Sequence, residues 1–302
     1  MYLIRGQHNL ELFKSRFKDI KLSGTIGNFD GLHLGHQAIL EKIKNNSKEF
    51  NSKTIVFFTE PHASEYFASI NNLHNEIPPR ICSWREKFKL LEKSGIDFAF
   101  FLKFNNSLRT MSPENFISEI LDSINLKSFT VGDDFRFGLD RKGDTDQLRE
   151  WGKKRDILVE NTETILYKDE RVSSSRIRKA LIDNNFKLAE KLLGRPYTFS
   201  GKVVHGQHLG RTIDIPTANI WLPKQKLPIQ GVYAVQCNLG EKTYYGIANM
   251  GVRPTVGGTN PVLEVHLFEF SEFIYSQRLK VRFIKKIRDE KKFDNLGMLK
   301  LQ

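Results

Sequence analysis

The sequence predicts two folds in series, an α/β domain on a parallel sheet followed by a small all-β barrel, and three observations carry this. Between Leu22 and Asn161 short β-rich runs alternate with helical stretches, the pattern of strands joined by crossover helices. From Phe199 onward glycine-punctuated strands dominate. At 302 residues the chain also exceeds what one hydrophobic core usually organises.

The first half reads in order as LSGTIGNF, a strand, then HQAILEKIKNN, a helix; TIVFF; WREKFKLLEKSG; DFAFFL; SPENFISEILDSIN; SFTVG; QLREWGKKR; and ILVEN. Ser112 is placed as a helix cap, Pro113 in the first helical position and Glu114 in the first turn, where the helix dipole favours acid. SSSRIRKALIDNN and KLAEKLLG continue the helical texture. GKVVHG, GVYAVQCNL, KTYYGIANMG, VLEVHLFEF and LKVRFIKKI then read as the strands of the barrel. The hydrophobic period switches between Asn184 and Arg195, giving domains of 1–185 and 186–302.

A net charge of +12 and a pI near 9.5 suit nucleic acid, an acidic surface or small polyanions such as nucleotides. The basic residues are spread along the chain, which argues against a dedicated nucleic-acid arm. Cys82 and Cys237 stand far apart with no CxxC, so neither a disulfide framework nor a cysteine zinc site is indicated, and a reducing cytoplasm fits. The start, MYLIRGQHNLELFKSRF, has no apolar signal core, and no segment approaches the ~20 apolar residues of a membrane span. A cytoplasmic protein with no membrane partner is expected.

Gly27 to His36, GNFDGLHLGH, follows a strand and opens a helix, where open α/β sheets place ligands. Gly27, Gly31 and Gly35 permit close ligand approach, while His33 and His36 can donate to phosphate oxygens beside the helix N-terminus. A zinc reading of the two histidines lacks a third and fourth ligand nearby. Ser173 to Arg178, SSSRIR, puts hydroxyls and guanidiniums at the start of a second helix, either a phosphate cradle or a serine-capped helix with solvated arginines. The ordered string G-x-F-D-G-x-H-x-G-H resembles the ATP signature of the HxGH nucleotidyltransferase superfamily, of Rossmann-like fold, and SSSRIR resembles its second signature. FFTEPHA (Phe57 to Ala63) and VGDDFRFG (Val131 to Gly138) are similar to motifs of the flavin adenylyltransferase domain in bacterial bifunctional riboflavin kinase/FAD synthetases. Phe135 and Phe137 at alternating spacing also suit simple core packing.

That resemblance implies an ATP site of Gly27, Phe29, Asp30, Gly31, His33, Gly35, His36, Ser174, Ser175, Arg176 and Arg178, with His33, His36 and Arg176 assisting catalysis. It implies a flavin site of Phe58, Pro61, His62, Asp134, Phe135 and Phe137. Ala63 stands where the family usually has proline.

In the second half, GKVVHGQHLGRTIDIPTAN (Gly201 to Asn219) resembles the ATP and magnesium site of riboflavin kinases, PTAN being the distinctive string. Gly206 and Gly210 would let backbone amides reach phosphates, and Thr217 and Asn219 offer neutral oxygens to an Mg²⁺ shared with ATP. Glu264 alternates with Leu263, Val265 and Leu267; from pattern alone it and His266 line the wet face of a strand, and by resemblance Glu264 is the general base. GIANMGVRPTVGG and RFIKKIRDEKKF resemble further kinase motifs. The resemblance implies ATP binding by Gly201, Val203, Gly206, Gly210, Arg211, Pro216, Thr217 and Asn219, and flavin binding by Gly251, Arg253, Arg288 and Glu290. Three departures touch this half: Asp214 before the PTAN segment, Ser276 for a glycine after tyrosine, and an end at Gln302 where family members usually continue into a helix over the flavin.

The expected reactions convert riboflavin and ATP to FMN and ADP, then FMN and a second ATP to FAD and pyrophosphate. One rival keeps the adenylyltransferase but has a weakened or inactive kinase that only binds flavin. Another makes the chain a basic nucleic-acid binder with vestigial motifs, against which stands the lack of any RRM, KH or zinc-finger pattern.

Overall fold

The computed structural model describes residues 1–73, 77–205, 216–222, 226–255 and 258–291. The chain divides into two compact units, Met1–Pro78 with Trp84–Ser173, and Pro79–Ser83 with Ser174–Gln302.

The first unit carries strands β1 (Tyr2–Arg5), β2 (Leu22–Ile26), β3 (Lys53–Glu60), β4 (Phe98–Lys103), β5 (Leu126–Gly132) and β6 (Leu158–Thr162). They form one sheet in the order β1-β4-β3-β2-β5-β6, every pairing parallel. Helices α1 (Leu10–Arg16), α2 (Leu34–Glu49), α3 (Ala63–Ile70), α4 (Trp84–Lys93), α5 (Asn106–Thr110), α6 (Pro113–Phe116) and α7 (Thr145–Arg155) connect them, and a hairpin of β7 (Leu166–Tyr167) and β8 (Glu170–Arg171) follows. This is the α/β domain the sequence predicts, with β1 as an edge strand that its pattern did not announce.

Both faces of the sheet are covered, so the central strands are buried along most of their length, the small polar residues Ser23, Thr25, Ser128 and Thr130 included. Strand alternation divides β3 between two cores: Ile55 and Phe57 join Phe100, Phe129, Leu148 and Trp151 on one face, while Val56 and Phe58 join Phe29, Leu40, Ile43 and Leu91 on the other. Each such side chain contributes on the order of 1.5–3 kcal/mol by leaving water.

The start of α6 matches its sequence signals: Ser112 Oγ accepts from Asn115 N at 3.1 Å, with Pro113 in the first turn. The predicted single helix SPENFISEILDSIN is corrected by the structure. After Phe116 the chain widens into one π-helical turn, Ile117–Leu121, closed by Asp122 N donating to Ile117 O at 2.8 Å.

Besides Pro79–Ser83, the second unit holds α8 (Ser174–Ile182) and α9 (Phe186–Leu193). Strands β9 (Thr198–Val204), β10 (Ala218–Ile220), β11 (Gly231–Leu239), β12 (Lys242–Thr255), β13 (Gly258–Leu267) and β14 (Arg278–Arg288) then close a barrel in the order β10-β13-β12-β11-β14-β9, all pairings antiparallel. Val203, Val235, Cys237, Ala248, Met250, Leu263, Val265, Val281 and Phe283 fill it, and the residues between them face outward. Closure leaves no unpaired edge among the described strands of the barrel. Phe186 of α9 caps one end against Tyr233, with ring centroids 5.7 Å apart, and against Phe283 at 6.3 Å. Among the described residues no helix is long and apolar enough to cross a membrane.

Candidate functional site

In the first unit the chain runs from β2 through β3 to β4 on one side, then returns across β2 to lay down β5 and β6 on the other. The loop after β2 therefore leaves the sheet at its topological switch point, where ligands of open α/β sheets bind. That loop is Gly27–His33. It is anchored by Gly27 N donating to Phe57 O at 3.1 Å and by Thr59 Oγ1 donating to Asn28 Oδ1 at 3.2 Å. Phe29 and Asp30 are buried, Phe29 entering the core on its own side of the sheet.

His33 caps α2. Its Nδ1 accepts from His36 N at 3.4 Å, so in the neutral ring the proton sits on Nε2, a donor of the kind phosphate oxygens accept. The His33 and His36 rings stack at 3.7 Å, and His36 meets the Phe29 ring at 5.0 Å. The sixteen residues of α2 add their dipole to this pair at its N-terminus. Gly35 lies under the His33 ring, which a Cβ there would meet at 3.2 Å.

The loops after β3 and β5 carry the expected flavin residues. His62 follows Pro61 and caps α3, its Nδ1 accepting from Ser64 N at 3.1 Å while Glu65 Oε2 accepts from His62 N at 3.0 Å. Phe58 lies within β3 itself and is fully buried, with Lys87 Nζ 4.9 Å above its ring. Asp134 is exposed and held at 3.0 Å by Arg171, which also bonds Asp133 at 2.9 Å. Phe135 stacks at 5.7 Å on Phe137, whose buried ring also packs on Phe116. The core reading of Phe137 and the site reading of the half-buried Phe135 are both physically available in this arrangement.

Ser174, Ser175, Arg176 and Arg178 belong to the second unit, on the first turns of α8. Arg176 and Arg178 are half-buried, and Arg178 Nε donates to Pro79 O at 2.8 Å, tying the Pro79–Ser83 segment to that helix.

On the barrel, register builds the site. Asn219 on β10 pairs with Glu264 on β13, and Glu264 pairs in turn with Asn249 on β12. Ile220, Leu263, Val265, Ala248 and Met250 point inward, so Asn219, Glu264 and Asn249 form one row across three strands on the outer face. One step along β13, His266 Nδ1 donates to Pro216 O at 2.9 Å, fastening the PTAN segment to the strand that carries Glu264. The acceptor is a carbonyl, so the ring proton is on Nδ1.

The Asn249 end of the row is closed by Glu290. Its Oε1 accepts from Asn249 Nδ2 at 3.3 Å and its Oε2 accepts from Gln230 Nε2 at 3.0 Å. Gln230 is itself fixed by Tyr233, whose hydroxyl donates to Gln230 O at 2.8 Å; burial pushes that phenol up to about 12. The Glu290 carboxylate lies where a Cβ on Gly251 would stand, so this packing requires glycine. Arg288 is half-buried at the end of β14, with its Nη1 donating to Asp289 O at 3.0 Å. Arg253 lies on β12 opposite Asn260.

Gly201 and Val203 sit inside β9, Gly201 against Trp221 O and the Ile220 side chain, Val203 in the core. Gly206, Gly210, Arg211 and Asp214 lie outside the described residues. Ser276 takes a left-handed backbone at φ 68, the conformation that glycine would adopt there without cost, and donates its N–H to Val203 O at 2.9 Å.

Among the described residues no group of three or more His, Cys, Asp or Glu could hold a metal alone. Thr217 and Asn219, neutral oxygens beside one carboxylate, fit an Mg²⁺ whose other ligands come from a nucleotide. Asn249, Gln230 and His266 were absent from the sequence-derived site; the register that gathers them is a long-range property that no local spacing displays.

Two family models match the chain, FAD synthetase over residues 18–176 and riboflavin kinase over residues 193–302. Proteins named bifunctional riboflavin kinase/FMN adenylyltransferase are similar over nearly their full length. That of Escherichia coli strain K12 is 41% identical over 304 residues, covering 100% of this chain and 94% of its own. That of Haemophilus influenzae is 41% identical over 307 residues, with 100% and 96% covered, and that of Pseudomonas fluorescens 40% over 302, with 99% and 94%. A crystal structure described as a macrolide-efflux protein from Streptococcus pneumoniae superposes with a TM-score of 0.77 at 29% identity, covering 98% of this chain and 94% of that one.

Proposed function

The chain belongs to the bifunctional riboflavin kinase/FMN adenylyltransferase family, and from that membership we propose how its own residues divide the work. It phosphorylates riboflavin to FMN with ATP, and adenylylates FMN with a second ATP to give FAD and pyrophosphate.

The observation that carries the kinase assignment is the row Asn219–Glu264–Asn249 on the barrel's outer face. Glu264 takes the proton of the riboflavin 5′-hydroxyl as its oxygen attacks the γ-phosphorus of ATP, and the bond to the ADP oxygen breaks. Thr217 and Asn219 would hold Mg²⁺, which when bound neutralises charge on the phosphates. Gly251, Arg253, Arg288 and Glu290 bind the flavin side of this site, the carboxylate of Glu290 being set by Asn249 and Gln230.

In the adenylyltransferase, an FMN phosphate oxygen attacks the α-phosphorus of ATP, and pyrophosphate leaves. The nucleophile is already ionised, so positioning and charge stabilisation suffice and no strong protein base is needed. His33 and His36 donate to the triphosphate from the start of α2, and the loop of Gly27 to Gly31 approaches it closely. Ser174, Ser175, Arg176 and Arg178 are assigned to nucleotide phosphates from their motif. Pro61, His62, Asp134 and Phe135 are assigned to FMN, with Phe58 and Phe137 packing behind them. The buried Cys82 and Cys237, neither of them in a disulfide, suit a reducing cytoplasm.

Chromatographic product analysis tests this directly. Incubation with ATP and Mg²⁺ is expected to yield FAD from riboflavin and, in a parallel tube, from FMN. FAD from FMN alone would remove the kinase activity, and no flavin product from folded protein would remove both.

A further inference from the structure

We propose that Asn249 is a positioning residue for Glu264, presenting its side-chain carbonyl to the carboxyl group once that group has taken the substrate proton. The inference rests on the reading of Glu264 as the general base.

Two observations carry it. First, Asn249 and Glu264 are direct register partners on adjacent antiparallel strands, both facing outward, which places their side chains side by side. Second, the orientation of the amide is fixed. Glu290 Oε1 can only accept, so the atom facing it at 3.3 Å must be Nδ2, and Gln230 holds that carboxylate from its other side at 3.0 Å. Oδ1 therefore points away from Glu290, is inaccessible to solvent, and has no hydrogen-bond partner among the described residues.

A buried carbonyl without a donor is costly, and proteins satisfy such groups unless another state of the molecule does so. Ionised Glu264 has no proton to give. During phosphoryl transfer the alcohol proton moves to Glu264, the alcohol oxygen bonds to the γ-phosphorus, and the bond to the ADP oxygen breaks. Glu264 then carries an O–H, and Asn249 Oδ1 accepts from it. The acceptor is matched to the protonated state of the base and holds its carboxyl plane in the orientation that receives the proton. The proton passes to solvent after product release.

The test compares Asn249→Leu, Asn249→Ser and Glu264→Gln, measuring kcat and KM for FMN formation, with FAD formation from supplied FMN as an internal control for folding. A purely structural amide, whose one bond is to Glu290, predicts that leucine loosens that carboxylate and raises KM for riboflavin while kcat stays unchanged. The proposal expects Asn249→Leu to lower kcat by about tenfold or more, beyond any rise in riboflavin KM that the lost bond to Glu290 brings, and Asn249→Ser, which keeps an acceptor, to recover part of the rate. An unchanged kcat overturns it, as does a raised KM at constant kcat, which would make Asn249 a substrate contact. If Asn249→Leu also loses FAD formation, serine and leucine variants of equal kcat overturn it. Full FMN formation by Glu264→Gln would instead remove the base assignment on which the proposal stands.

Discussion

The carboxylate of Glu290 occupies the space that a Cβ on Gly251 would take, and from there it bonds both Asn249 and Gln230. Two residues far apart in sequence are therefore made mutually dependent by the absence of one carbon atom. Replacing Gly251 with alanine must move Glu290, since the clash is with a fixed, doubly bonded carboxylate.

Gly251→Ala is accordingly expected to lower kcat/KM for riboflavin phosphorylation by about tenfold or more, the size of effect that about 1–3 kcal/mol of overpacking produces when it falls on a site. FAD formation from FMN stays unchanged, because neither Gly251 nor Glu290 is among the residues assigned to that reaction. Parallel assays with riboflavin and FMN read both rates; an unaffected kinase would mean that Glu290 can move without consequence.

His33 serves α2 as a cap and, in the proposed mechanism, as a phosphate donor, and two substitutions separate these roles. Asparagine retains an acceptor for the His36 amide, whereas alanine does not. His33→Ala should lose roughly 0.5–1 kcal/mol of stability, near the low end for a cap because the 3.4 Å bond is long, and His33→Asn little. Both should reduce FAD formation by on the order of 10²-fold, the usual effect of removing one donor to developing charge. Denaturant unfolding and initial rates on FMN supply the two readouts. A His33→Asn enzyme of full activity would leave the imidazole with a structural role only.

Much of this architecture was legible in the sequence, for identifiable reasons. TIVFF read as a strand because its residues are β-formers, and Ser112 with Pro113 marked the start of α6. What was hidden depends on partners distant in sequence. The four residues of β1 form a strand by pairing with β4, and the three of β10 by joining β9 to β13. PTAN announced Asn219 and a strand pattern announced Glu264, yet nothing in either segment states that they are cross-strand neighbours. Asn249 entered the row only through the register of β12. His62 was unreadable as a helix cap because histidine is not among the usual capping residues.

Ser276 stands where the resemblance places a glycine, and its backbone is left-handed. At φ 68 a serine bears the steric cost of the left-handed region, on the order of 1 kcal/mol. Ser276→Gly removes that cost but adds unfolded-state freedom, which offsets ~0.4–1 kcal/mol. The expected net effect on barrel stability is within about 0.5 kcal/mol of zero, with FMN formation unchanged. Thermal unfolding together with the riboflavin assay checks this, and a marked gain in kinase rate would show that strain at Ser276 reaches the site.

Cys237 lies inside the barrel on β11, between Tyr244 and Val281 in register, and burial pushes its thiol up to about 12 from an ordinary 9.0. In the unfolded chain the thiol ionises near the ordinary value, whereas in the folded chain it stays protonated. Its contribution to stability is thus fully present below about pH 9 and is lost as pH rises toward 12. Cys237→Ala lacks this titration, though its cavity costs stability at every pH. The difference in unfolding free energy between parent and variant should therefore shrink by about 1–2 kcal/mol from pH 8 to pH 10.5. Tyr233, also raised to about 12, titrates in both proteins and cancels in the comparison. A difference that stays constant across this range would mean that the folded barrel admits the thiolate, and thiol-reactive reagents should then label native Cys237 at alkaline pH.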